Sequence, residues 1–239
     1  MTWSILARDT ETGALGVAVA SRFFAVGALC PRVEGGVGVA CTQALVNPYL
    51  APDAVARLRG GEEPEAALAA LVAADAGRAT RQAHVMAADG RSARHTGDDC
   101  IGWCGHLAGP DVSVAGNMLA GPAVLEATRD AFLGAAGLPM AERLLRAMEA
   151  GEAAGGDKRG RQSAAIQVAG GDALPDLDLR ADDHPDPLAE LRRLHRVWHG
   201  YTRHFRRLLP GRSPAGDHPG VFDRGVIQAA VAAAQSEEA

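Results

Sequence analysis

Residues Thr2–Ser21 read TWSILARDTETGALGVAVAS, and this stretch decides the fold. Two apolar runs, Thr2–Arg8 and Ala14–Ser21, flank the turn chemistry of Asp9-Thr10-Glu11-Thr12-Gly13, which predicts a β-hairpin. Both runs carry apolar residues on both faces, the pattern of strands covered from two sides. A chain that opens on a doubly covered hairpin needs a layer above it and a layer below.

Outward from the hairpin, Val37–Thr42 (VGVACT) repeats the buried-strand character after a Gly-Gly turn. Helices are predicted from Asn47 to Arg59, closed by Gly60-Gly61, and from Pro64 to Asp75, with proline at its first position. A second hairpin, Gln82–Ala88 with Arg91–Thr96, turns at Asp89-Gly90. A short strand at Val112–Val114, helices at Ala123–Leu133 and Pro139–Glu149, and strands at Ser163–Val168 and Leu177–Ala181 complete the reading. Runs of strands alternating with runs of helices predict an α+β fold, here a four-layer α-β-β-α sandwich over residues 1–186. Leu191, Leu194, Trp198, Tyr201, Phe205 and Leu208 then form a heptad-like stripe, so 187–209 is expected to be an amphipathic helix that docks on the domain or pairs with a partner. Residues 210–239 read as a loosely ordered tail with a short helix at Gly225–Gln235.

Composition narrows the function classes. The 239 residues carry a formal charge of −5 and no long basic tract, which argues against nucleic acid or a membrane surface as partner. No apolar run reaches the ~18 residues of a membrane span, and no signal segment opens the chain. With four cysteines (Cys30, Cys41, Cys100, Cys104) read as reduced thiols, a cytoplasmic location is expected. Aromatics make up only 4% of residues, so the core must come from Ala, Val and Leu. Lys158 is the one lysine among 24 cationic side chains, which marks its position.

Several site motifs fail on their own chemistry. Gly151–Gly156 has a phosphate-loop spacing, but Asp157 stands where the lysine belongs. Cys100, Cys104 and His106 lack a fourth metal ligand nearby, and His195 with His199 sits among arginines. Asp182, Asp183, His184 and Asp186 form an oxygen-rich cluster that reads either as a cation site or as turn and cap residues before a helix. No cofactor or metal is expected.

Thr2 is the strongest candidate. Removal of Met1 would leave a hydroxyl and a free α-amine on one residue, and an α-amine with a pKa of about 7.7–8.0 can act as base for its own hydroxyl. Polar residues fall at neighbouring strand ends: Ser21 and Arg22, Thr42 and Gln43, and Asn117. Gln43 and Asn117 are candidates for holding an oxyanion, and Ser21, Arg22 and Thr42 for contacting substrate.

These residues, with the segments TQALVNP, GNMLAG, GGDKRGRQSAA and DLRADDHPDPLAELRRL, resemble the family called domain of unknown function 1028. That family is grouped with the N-terminal-nucleophile (Ntn) hydrolases. The resemblance spans about residues 2–195 and implies the α-β-β-α sandwich and Thr2 as nucleophile, without a substrate. It raises the interest of Asp157, Lys158, Arg159 and Arg161, a local positive pole whose charges are expected to orient a small acidic or peptide-like substrate. The expected function is hydrolysis of an amide C–N bond, by a homo-oligomer joined through the C-terminal helix or a sheet edge. The alternative is a non-catalytic small-ligand-binding or assembly protein on the same fold.

Overall fold

In the computed structural model, which describes residues 2–206, 209–211 and 223–237, the opening hairpin is β1 (Thr2–Arg8) and β2 (Leu15–Ser21). One helical turn, α1 (Val26–Leu29), leads to β3 (Pro31–Glu34) and β4 (Gly38–Ala44). Helices α2 (Leu50–Arg59) and α3 (Pro64–Ala74) precede strands β5 (Arg81–Ala87), β6 (Ser92–Thr96), β7 (Trp103–Gly109) and β8 (Val112–Leu119). Then come α4 (Ala123–Gly134), α5 (Met140–Ala153), β9 (Ser163–Ala169), β10 (Leu177–Ala181) and α6 (Pro187–Val197).

The architecture is mixed α/β with two antiparallel sheets. One has six strands in the order β10-β9-β2-β1-β8-β7, and the other four in the order β3-β4-β5-β6. Strand alternation divides β1 between two environments. Trp3, Ile5 and Ala7 join Phe132, Leu144 and Met148 in a core beneath α4 and α5. Leu6, with Val17 and Val19 of β2, instead meets Val39, Cys41 and Met86 across the gap between the sheets. On the far side of the four-stranded sheet, Ala40, Ala83 and Val85 pack against Leu50, Val55 and Leu58 of α2 and Leu68 of α3.

Three strands depart from the sequence reading. β3 and β7 carry no apolar alternation, and the strand expected at Val112–Val114 runs on to Leu119. That extension puts Asn117 inside β8 rather than after it. α6 packs on the six-stranded sheet's core through Leu188 and Leu191, with Leu194 and Trp198 partly buried against it. Beyond α6 the chain passes through a π-helical turn, Trp198–Thr202, into α7 (Arg203–Arg206), so the stripe does not lie on one regular helix. Its last member, Leu208, lies outside the described residues, as does much of the expected tail. Within the tail, α8 runs from Arg224 to Glu237, around the helix expected at Gly225–Gln235.

Candidate active site

Antiparallel register fixes the site at one end of the six-stranded sheet. Thr2 lies between Ser21 on β2 and Asn117 on β8, all three buried. They share the face that looks toward the other sheet, and the Thr2 and Ser21 hydroxyls are 3.0 Å apart. Opposite them stand Gln43 at the end of β4 and Gln82 at the start of β5, paired across that sheet.

Gln82 ties the group together. Its Nε2 donates to the Gly116 carbonyl at 2.9 Å and reaches the Gly105 carbonyl and the Thr96 hydroxyl at 3.2 and 3.0 Å. Those acceptors turn Gln82 Oε1 toward two other amides, Gln43 Nε2 at 2.7 Å and Asn117 Nδ2 at 3.1 Å. One N–H of each amide is thereby committed and the second remains. Gln43 Oε1 accepts the Ser4 hydroxyl at 2.8 Å, whereas Asn117 Oδ1 is buried without a hydrogen-bond partner. Beyond Ser4 lies His84, 2.8 Å from its Nε2, with the Ser113 hydroxyl 3.0 Å from Nδ1. Burial drives the His84 pKa down to about 3, helped by His106, so the ring is neutral at physiological pH.

Thr2, Ser21, Gln43 and Asn117 line one cavity of about 410 Å³. Phe23, Val26, Leu45, Val46, Ile101 and Met118 give it an apolar wall, and Asp99 and Arg159 are its charged residues. Cys30 and Cys100 also reach it, but burial raises both thiol pKa values, most strongly for Cys30. They are protonated and poor nucleophiles at neutral pH, and they share this wall with the hydroxyls of Thr2, Ser21 and Thr80. Two bordering residues, Ala44 and Met118, adopt left-handed backbone with φ of 70° and 54°. Each directly follows one of the amide residues, Gln43 and Asn117. Left-handed backbone costs an L-residue about 1–2 kcal/mol, and such strain concentrates at functional sites.

Other expected site residues fall elsewhere. Thr42 alternates to the opposite face of β4 from Gln43, the side of Ala40 and Ala83, and its buried hydroxyl has no partner there. Arg22 gives its backbone N–H to Asp157 and its guanidinium to the Arg159 carbonyl, away from the cavity lining. Asp157 braces this loop: it also takes the Arg159 N–H and guanidinium, and pairs with Leu119 by an isolated bridge, and it does not line the cavity. Lys158 is exposed and does not line the cavity. Arg161 bonds Glu152 and Asp186 instead. Only Arg159 brings that loop to the cavity. Ser163, unmarked in the sequence, accepts the Val26 N–H and donates to the Phe23 carbonyl, fixing the segment that supplies two wall residues.

The Asp182–Asp186 cluster is engaged locally. Asp186 caps α6 through the Ala189 N–H and donates its own N–H to His184 Nδ1, Asp183 accepts from Gln162, and Asp182 pairs with Arg180. Among the described residues, no group of three or more His, Cys, Asp or Glu is placed to hold a metal. No helix among them is long and apolar enough to cross a membrane.

Comparison with known proteins places this geometry in a family. The model described as "Family of unknown function (DUF1028)" matches residues 2–191. A crystal structure of a DUF1028 protein from Silicibacter pomeroyi superposes with a TM-score of 0.76 at 36% identity, covering 82% of this chain and 88% of its own. Anbu (ancestral beta-subunit) from Yersinia bercovieri aligns over 88% of this chain and 99% of its own, with a TM-score of 0.39 and 12% identity. No curated protein matches. The chain belongs to the DUF1028 family.

Proposed function

We propose that this DUF1028 chain is an amide-bond hydrolase of the N-terminal-nucleophile type, its two sheets and flanking helices forming an α-β-β-α sandwich with Thr2 as nucleophile. The observation that carries the reading is the setting of Thr2: a buried hydroxyl at the first residue of a central strand, hydrogen-bonded to Ser21 and lining an open-mouthed cavity. Removal of Met1 frees the Thr2 amine. The unpartnered Asn117 Oδ1, on the residue directly across the strand pair, is an acceptor suited to that amine.

The neutral amine takes the hydroxyl proton as Oγ1 attacks the amide carbon. Charge builds on the carbonyl oxygen, and the remaining N–H groups of Gln43 and Asn117 are the side-chain donors suited to hold it. The C–N bond breaks as the amine returns the proton to the leaving nitrogen. A threonyl ester remains until water, activated by the same amine, attacks it and releases the acid. Ser21 keeps the Thr2 hydroxyl in place between steps.

The test is a screen of small amides and short peptides against wild type and Thr2→Ala, paired with intact-protein mass. Turnover in wild type, its loss by at least about 1,000-fold in Thr2→Ala, and a mass lacking Met1 are expected. Unchanged turnover in Thr2→Ala, or activity in a protein that keeps Met1, sinks the mechanism. The base is the amine, so kcat/KM should rise about tenfold per pH unit and level off above about pH 8.

A further inference from the structure

The geometry points to the acyl half of the substrate: we infer that the cavity beside Thr2 binds an uncharged hydrocarbon acyl chain, making the substrates N-acyl amides. This rests on the reading of Thr2 as nucleophile for which half is held, but not for the hydrocarbon binding itself. The acyl half stays on Thr2 through two chemical steps while the amine departs after the first. An apolar wall beside the nucleophile therefore serves the half that is retained.

The wall itself selects apolar material. Phe23, Leu45 and Ile101 are 50%, 66% and 70% exposed, unusual for side chains of that size, and all three line the same cavity. They come from separate segments: the loop after β2, the turn after β4 and the turn before β7. Convergence of three solvent-exposed apolar side chains on one concavity is what a hydrophobic ligand site requires and what a folding core does not explain. Deeper in the wall, Val26 and Met118 continue the apolar surface.

The charges disfavour an acidic acyl group. Arg159 is the cavity's cationic residue, and its guanidinium is engaged by the buried Asp157 carboxylate at 3.1 Å. Asp99 adds a negative charge to the same lining. One cation held by an acid, with a second acid nearby, gives an anionic substrate no net attraction.

The experiment measures binding apart from chemistry. Thr2→Ala protein is titrated by calorimetry with straight-chain N-acyl anilides, from acetyl to decanoyl, and with the succinyl anilide. Kd should tighten by up to about fourfold for each added methylene until the cavity is filled. The series should flatten when Leu45→Ser and Ile101→Ser, both at exposed positions, are added. Chain-independent affinity, or tighter binding of the succinyl compound, overturns the acyl site. Wild-type release of aniline from the same compounds reports the hydrolase reading separately. Length-dependent binding without release removes the reaction and leaves the acyl site. Release with no chain preference does the opposite.

Discussion

At Gln82, two backbone carbonyls and two side-chain amides meet on one buried residue. Its Nε2 faces the carbonyls, so its Oε1 orients Gln43 and Asn117 from outside the cavity. It is a positioning residue. Gln82→Ala would leave the Gly116 carbonyl and both amides without their partner, and an unsatisfied buried polar group costs about 1–3 kcal/mol. The expected result is a loss of about 2 kcal/mol in urea unfolding, with kcat falling roughly tenfold or more and KM little changed. Gln82→Glu is the discriminating variant. It keeps an acceptor toward the amides but turns carboxylate oxygens on the Gly116 and Gly105 carbonyls, so it should destabilise more than alanine. Because glutamate keeps that acceptor, kcat in folded Gln82→Glu protein should exceed that of Gln82→Ala, and a kcat no better than alanine's would show that orientation of the amides is not the role. Nothing in the sequence singles out Gln82: it follows Arg81 at the start of an ordinary strand, and its importance comes from Gly105 and Gly116 on the opposite sheet. Thr2 stands out by its place after Met1, and Ser21, Gln43 and Asn117 as polar residues at the ends of apolar runs. Thr42 shares that signal and points the other way, since neighbours in a strand face opposite sides.

Among the elements, those written in strong patterns were legible and those made by context were not. The β1–β2 hairpin, with its turn at Asp9–Gly13, is apolar enough to announce itself, and its boundaries agree with the reading to within a residue. β7 (WCGHLAG) has two glycines and side chains that are almost all half-buried, so only its pairing with β8 makes it a strand. β3 is a four-residue edge strand beginning at a proline, a position that propensity disfavours and an edge permits. α6 tests whether its apolar stripe serves the domain. Leu191 is 1% exposed and lies in the core with Leu188, whereas Val197 on the same helix is 58% exposed. Leu191→Ala should therefore lower unfolding free energy by about 3 kcal/mol, and Val197→Ala should change it by less than about 0.5 kcal/mol. A Leu191→Ala protein of unchanged stability but altered assembly mass would assign the stripe to a partner instead.

For the molecule as a whole, the gap between the sheets is apolar at one end, around Leu6, Val39 and Met86, and polar at the other. His84 stands in the polar part, bridging Ser4 on β1 and Ser113 on β8 from the opposite sheet. Two hydroxyls suit a neutral ring, which can donate through one nitrogen and accept through the other. They offer no negative charge to a protonated one, and His106 opposes protonation further. The folded pKa of about 3 lies below the unfolded value of about 6.5, so the unfolded chain binds the extra proton between those limits. Stability from this group is therefore complete above about pH 6.5 and declines as pH falls, by up to about 1.4 kcal/mol per unit. Carboxylates contribute mainly below about pH 5, so the window between pH 5 and 7 isolates the imidazoles. Unfolding free energy should fall across that window in wild type and fall less in His84→Gln, whose amide can still donate and accept. The other histidines are common to both proteins and cancel in the difference. Parallel pH profiles would show that His84 does not titrate on unfolding, and that the two sheets are held together without a penalty for acid.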